Sequence, residues 1–340
     1  MTNKIAKLVS EKDIVFDGML WIDKNGVKHR YVNPLLDEGF KILFGSEGNE
    51  DLLIDLLNKV LPGAEIRDLK YCNTEHHGMT ESEGNAIFDV YCEDVDGVRF
   101  LVEMQNWSQH YFNKRAVYYS SFAIQDQAAK EKRHQLKTLK KDKWDYNFAP
   151  VYLVCFLTFN MKRNLPELTK VKEDDYISIY KYMDVETNEL LEDGTTLIFI
   201  ELKRFSKNLK ECDTEKDRWI CSLKSMGDQL EMPKELSGTI LQTLYDKAAL
   251  AAMSPEKRTI YISKTMSRND ELNSRAEMIE DALKEGYAKG RDEGLAEGRA
   301  EGVKVGKEEG REVGLAEGRA TAILENARKM KELGIDAETI

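Results

Sequence analysis

The stretch Phe88-Asp89-Val90-Tyr91-Cys92-Glu93-Asp94-Val95-Asp96-Gly97-Val98-Arg99-Phe100-Leu101-Val102-Glu103-Met104-Gln105 decides how this chain is read. Two runs of apolar, β-branched and aromatic residues flank Val95-Asp96-Gly97, the pattern of a β-hairpin. Asp89, Glu103 and Gln105 sit inside those runs. A buried strand carries carboxylates only where something compensates their charge. A hard divalent cation does so, because it takes oxygen ligands from a few carboxylates.

Register decides whether the three groups meet. A three-residue loop at 95–97, with Gly97 left-handed, is the favoured bulged arrangement. Asp94 then pairs with Val98, and counting outward sets Asp89 opposite Glu103. Directly opposed strand residues have Cβ atoms within about 5.5 Å of each other. Gln105 shares the face of Glu103, since strand side chains alternate. A two-residue Asp-Gly loop would set Asp89 opposite Met104 instead, on the wrong face. The competing reading is a solvent-facing strand side with scattered carboxylates, and spacing alone leaves both open.

Composition bounds the rest. A chain of 340 residues holds one large or two modest domains, and 41% apolar residues suffice for a core. No run of 18 apolar residues suggests a membrane span. Met1 to Lys7 lacks the apolar region of a secretory signal. Cys72, Cys92, Cys155, Cys212 and Cys221 are isolated, so neither a zinc site nor a disulfide framework is indicated. The expected location is cytoplasmic.

A net charge of −11 does not favour nucleic acid, although charge distribution matters more than the total. Residues 130–143 hold seven Lys/Arg against two acids, and Trp144 and Tyr146 follow. Lys132, Arg133, Lys137, Lys140 and Lys141 are candidate phosphate contacts next to the carboxylates. The bland reading of such a run is a solvated loop or helix end.

The remaining pattern orders the elements. Residues 1–30 read as a variable leader, with 14–21 as a short edge strand. Residues 37–61 show helical spacing broken near 45–49 and stopped by Pro62-Gly63. Residues 66–71 alternate as a first core strand. After the hairpin, 107–129 reads as a long helix, 151–159 as a buried strand and 197–202 as another. Residues 214–265 are mostly helical. Helix, three strands, helix, strand fits an α/β protein with a mixed sheet flanked by helices.

Asp89 followed by Glu103-x-Gln105 on the next strand resembles the PD-(D/E)XK nuclease signature, with Gln105 where lysine is more usual. Asn33 to Gly45 resembles that fold's opening helix. Val102-Glu103-Met104-Gln105, Phe112-Asn113-Lys114-Arg115, Tyr118-Tyr119-Ser120-Ser121 and Pro150-Val151-Tyr152 resemble the Rpn-type recombination-promoting nucleases, also labelled transposases. Ile200 to Phe205 and Lys216 to Trp219 extend the likeness, which covers about residues 31–235.

The resemblance implies a restriction-endonuclease-like core at 31–235; residues 236–284, outside it, read as a helical extension. The resemblance also implies a metal-dependent DNA endonuclease that promotes recombination. Asp89 and Glu103 would bind Mg²⁺, with Mn²⁺ as a second candidate. Gln105 would act beside them, and Arg115 would neutralise the phosphate. Asp37, Tyr119 and Gln127 would support the site; packing and helix-dipole roles compete for these residues. The alternative is a catalytically weak DNA- or protein-binding module on the same fold. No feature beyond the nuclease site speaks for transposition.

Residues 285–320 differ in kind. Glycine recurs every fourth position from Gly286 to Gly318, among Glu, Ala, Lys and Arg. Each costs a helix about 1 kcal/mol relative to alanine. The stretch reads either as a coiled helix, offering a homo-oligomer through close backbone approach, or as a flexible charged linker. Residues 321–340 resemble the start of a small helix-turn-helix-like unit. An oligomerising scaffold driven by this tail is a third, weaker reading of the chain.

Overall fold

The computed structural model describes residues 15–76, 86–106, 111–161, 175–191 and 194–334. The chain separates into two compact units, Met1–Ser267 and Arg268–Ile340. Unit 1 opens with a small three-stranded sheet, β1 (Val15–Phe16), β2 (Trp21–Ile22) and β3 (Lys28–His29). Helices α1 (Asp37–Phe44) and α2 (Glu50–Val60) follow. Then come β4 (Leu69–Tyr71), the short pair β5 (Glu75–His76) and β6 (Ala86–Ile87), and the hairpin β7 (Val90–Asp94) and β8 (Arg99–Gln105). Helix α3 (Phe112–Arg133) leads to β9 (Val151–Leu157), β10 (Ile177–Tyr180) and β11 (Thr195–Glu201). Helices α4 (Glu215–Ser225), α5 (Ile240–Ala248) and the start of α6 (Pro255–Glu332) close the unit.

Six strands form the main sheet in the order β10-β11-β9-β8-β7-β4. Its centre is parallel: β8 pairs with β9, and β9 with β11. Its flanks, β7 with β4 and β11 with β10, are antiparallel. The mixed sheet matches the expectation from element order. Strand β10 was not foreseen; its residues are only half-buried or exposed, as an edge strand allows.

Alternation along β8 splits the core in two. Phe100, Val102 and Met104 join a large cluster with Phe40, Leu43 and Phe44 of α1 and Leu52, Leu53, Leu56 and Leu57 of α2. Leu101 faces the other way, into a cluster with Leu153, Cys155, Phe199 and Phe112, Ala116 and Ala123 of α3. Each fully buried Leu or Phe contributes about 1.5–3 kcal/mol. Glu103 and Gln105 share the parity of Leu101 and so lie on the α3 side.

The break between α1 and α2 falls where the spacing predicts it. Gly45 ends α1, its N–H bonding the Lys41 carbonyl at 2.9 Å. The long helix after the hairpin runs over 112–133, and residues 107–110 of the expected helix lie outside the described residues. In unit 2 the glycine-periodic tail is helical.

Asn33 anchors the entry to α1. Its backbone N–H donates to the Tyr261 hydroxyl at 2.8 Å, and its side-chain oxygen accepts from Leu35 N–H at 2.9 Å. Gly39 packs so closely on this turn that a Cβ would stand 2.0 Å from the Asn33 carbonyl oxygen. That neighbour is backbone and cannot swing aside. Gly39→Ala is expected to destabilise the protein by about 1–3 kcal/mol, the range of overpacking. Urea unfolding measures it, and a loss below about 0.5 kcal/mol, the size of a neutral surface change, would contradict the packing.

Candidate active site

The site begins with the turn. Gly97 has φ 80°, in the left-handed region. Asp94 N–H donates to Val98 O at 3.0 Å, and Gly97 N–H to Asp94 O at 3.1 Å. The Asp94 carboxylate caps the loop by accepting from the N–H groups of Asp96 at 2.9 Å and Val98 at 2.8 Å. The register is Val90 to Val102, Tyr91 to Leu101, Cys92 to Phe100 and Glu93 to Arg99. One step further sets Asp89 opposite Glu103, as the three-residue loop requires.

Their side chains are interlocked with the backbone. Asp89 N–H donates to Glu103 Oε1 at 3.1 Å, and Met104 N–H donates to Asp89 Oδ2 at 2.9 Å. Gln105 Nε2 donates to Glu103 Oε2 at 3.2 Å. Arg115, near the start of α3, donates to Gln105 Oε1, and its guanidinium lies over the Tyr119 ring, 5.4 Å from the centroid. Tyr119 meets Phe88 edge-on at 5.7 Å. On the other flank, Lys41 of α1 places Nζ 3.0 Å from Asp89 Oδ1. Cys155 on β9 pairs with Glu103 across the parallel ladder and is fully buried.

Burial dominates the electrostatics. It pushes the Glu103 carboxyl up to about 8, and the neighbouring Asp89 charge adds to the rise. The Asp89 N–H, Arg115 and Lys41 oppose it. Burial also raises Asp89, against the opposing pull of Lys41 and the Met104 N–H. For Lys41, burial works to lower the pKa, but Asp89, Asp37 and Glu103 together outweigh it and hold the ammonium charged.

The sequence-predicted residues do not all gather here. Asp89, Glu103, Gln105, Arg115 and Tyr119 do. Asp37 stands at the rim, where its Oδ1 accepts from Asn106 Nδ2 at 3.4 Å. Gln127 does not reach the site: it is buried and donates to the Gly97 carbonyl at 2.7 Å, bracing the turn at the opposite end of the hairpin.

Lys132, Arg133, Lys137, Lys140 and Lys141 are not next to the carboxylates either. About 18 residues of α3 separate Arg133 from Arg115, roughly 27 Å at helical rise. Two of the five lysines and arginines are engaged locally. Lys132 lies over the Trp144 ring, itself stacked on Tyr146 at 4.0 Å, and Lys141 pairs with Asp145 at 2.8 Å. The physical reason is topological. A helix joining two parallel strands must carry the chain back along the sheet, so its far end lands away from the C-terminal end of β8.

Lys41 was missed. The available signal was its position four residues after Asp37, which sets both on one helix face. It stands between Phe40 and the buried pair Leu43 and Phe44, on a helix pressed against the sheet.

A divalent cation fits the donor set. Burial opposes the ionisation of both carboxylates even with Lys41 and Arg115 nearby, and their oxygens are the hard ligands such an ion takes. Among the described residues no three His, Cys, Asp or Glu side chains cluster as a ligand cage. Mg²⁺ does not need one, since it is usually held by one or two carboxylates and keeps several waters.

The family model described as PD-(D/E)XK nuclease family transposase matches residues 34–277. The chain belongs to that family, and its sheet is the restriction-endonuclease-like kind. No curated protein and no solved structure matches the chain.

The raised Glu103 carboxyl has a consequence for stability. A carboxyl with a raised folded pKa favours the fold while protonated, so its contribution is full below about 4.5 and is lost as pH rises towards about 8. In EDTA the wild type should therefore lose stability across that window. Glu103→Gln should flatten the slope and be more stable than wild type at pH 8, by on the order of 1–2 kcal/mol. Denaturant unfolding at pH 5 and pH 8 reads both, and parallel pH slopes would contradict the assignment.

Proposed function

We propose that this chain is a metal-dependent DNA endonuclease whose phosphodiester breaks promote recombination. One observation carries the reading: Asp89 and Glu103 converge, buried and interlocked, at the end of β8 between a lysine and an arginine. Membership of a nuclease family supports it.

Asp89 and Glu103 are the residues that would hold Mg²⁺ or Mn²⁺. When bound, such an ion lowers the pKa of a coordinated water and neutralises charge on the phosphate. The chain supplies the rest. Met104 N–H and Asp89 N–H fix the two carboxylates on one side of the hairpin. Gln105 holds a neutral amide beside Glu103; an amide orients a water but carries no charge to neutralise. Arg115 is a planar, permanently charged donor suited to a phosphate oxygen. The Tyr119 face and Gln105 Oε1 set its direction.

Among the described residues, no helix is long and apolar enough to cross a membrane. DNA is the expected substrate. The alternative, a catalytically weak DNA- or protein-binding module, rests on the neutral Gln105 and the acidic balance of the chain.

Plasmid cleavage by the purified full chain separates the two. Metal-dependent nicking is expected with Mg²⁺ or Mn²⁺, none in EDTA, and a loss of at least about 100-fold in Asp89→Ala, the scale on which charge-stabilising groups act. DNA binding without metal-dependent cleavage by the wild type would favour the binding module.

A further inference from the structure

Gln105 puts a neutral amide beside the carboxylate pair, the strand's own cation Arg99 being engaged by Glu93 and Asp126 at its other end, and α1 supplies a cation from the opposite flank. Lys41 Nζ stands 3.0 Å from Asp89 Oδ1. The approach is built into the backbone. At Gly45, one turn later, a Cβ would lie 3.4 Å from the Val90 side chain and 3.5 Å from the Asp89 carbonyl oxygen, so α1 ends directly against the residues that carry Asp89. The Asp89 side chain is 10% exposed, whereas that of Lys41 is 39% exposed. The ammonium thus bridges a buried carboxylate and the open side of the site. An ammonium has three donors, and the Asp89 contact uses one.

Arg115 is committed differently. It is hydrogen-bonded to Gln105 and stacked on Tyr119, on the α3 side. The two cations therefore stand on separate flanks of one carboxylate pair, and Lys41 is the one in direct contact with a carboxylate proposed to hold metal.

We propose that Lys41 is a catalytic lysine of this site, delivered from α1 instead of β8, whose ammonium contacts the scissile phosphate and neutralises the charge that Gln105 cannot. This rests on the nuclease reading above. It differs from a structural ion pair in one respect: the charge matters at the site, whichever element delivers it. Position 105 provides the control, because Gln105 already touches Glu103 Oε2 at 3.2 Å and a lysine there would bring its ammonium to the same carboxylate pair.

The experiment compares wild type, Lys41→Met, Gln105→Lys and the double variant Lys41→Met/Gln105→Lys in Mg²⁺-dependent plasmid cleavage. Thermal unfolding and DNA binding are recorded for each. Lys41→Met is expected to lower kcat by about 100- to 1000-fold, as loss of one transition-state donor does, with DNA affinity within a few-fold of wild type. The double variant is expected to recover at least tenfold over Lys41→Met. Activity of Lys41→Met within threefold of wild type would overturn the proposal. So would a folded double variant with no recovery, which would leave Lys41 as a structural partner of Asp89. If Lys41→Met fails to fold, Lys41→Arg decides: retained cleavage above a tenth of wild type supports a charge role, and a folded but inactive Lys41→Arg that Gln105→Lys does not rescue overturns it. A wild type that does not cleave would remove the nuclease reading itself, and this inference with it, a result distinct from all of these.

Discussion

Asp89 and Glu103 share one end of a hairpin, where burial opposes the ionisation of both and the Asp89 charge opposes that of Glu103 further. Burying like charges side by side costs stability unless something answers them. Much of unit 1 is arranged as that answer. The Gly97 turn sets the register that brings the carboxylates together. Backbone N–H groups of Asp89 and Met104 satisfy one oxygen on each. Helix α1 brings Lys41 to one flank, and α3 brings Arg115 to the other. The two apolar clusters on either face hold these helices in place. A divalent cation would complete the compensation, and the chemistry proposed here follows from that need.

Much of this was legible because it is local. The Val95-Asp96-Gly97 loop has one favoured geometry, and strand alternation carries its consequence outwards along both strands to Asp89 and Glu103. The α1–α2 break was legible from apolar spacing. What failed depended on distant parts of the chain. Lys41 matters because α1 ends beside the backbone at Asp89, and nothing within the helix shows which strand it meets. Charge alone favours a solvated face for the basic run at 130–143, and only the family resemblance sets it beside the site. Its true position follows from the parallel pairing of β8 with β9, which a reading of neighbouring residues does not include. Gln127 illustrates the same point: it lies on the helix that carries Arg115, yet three turns later it serves the turn at Gly97.

Unit 2 is a separate problem. Of the two readings of its glycine period, helix and flexible linker, the helix is the one observed. Among the described residues, and apart from the adjoining backbone of the helix itself, no atom lies within 4 Å of a Cβ built at any glycine from Gly286 to Gly318, so alanine would fit at each. The helix therefore forgoes about 1 kcal/mol per glycine, and no close approach among the described residues compensates it. Its persistence owes something to i,i+4 pairs such as Glu280 with Lys284 at 2.8 Å, worth a few tenths of a kcal/mol each.

The central claim is that the Asp89–Glu103 pair is a divalent cation site. Anomalous scattering from crystals of the full chain soaked in Mn²⁺ tests it most directly. The account expects a peak within about 2.5 Å of carboxylate oxygens from both residues, the range of oxygen–cation bonds, and its loss in Asp89→Ala crystals. Ordered crystals that bind no Mn²⁺ between these carboxylates, with Lys41 still seated on Asp89, would contradict it.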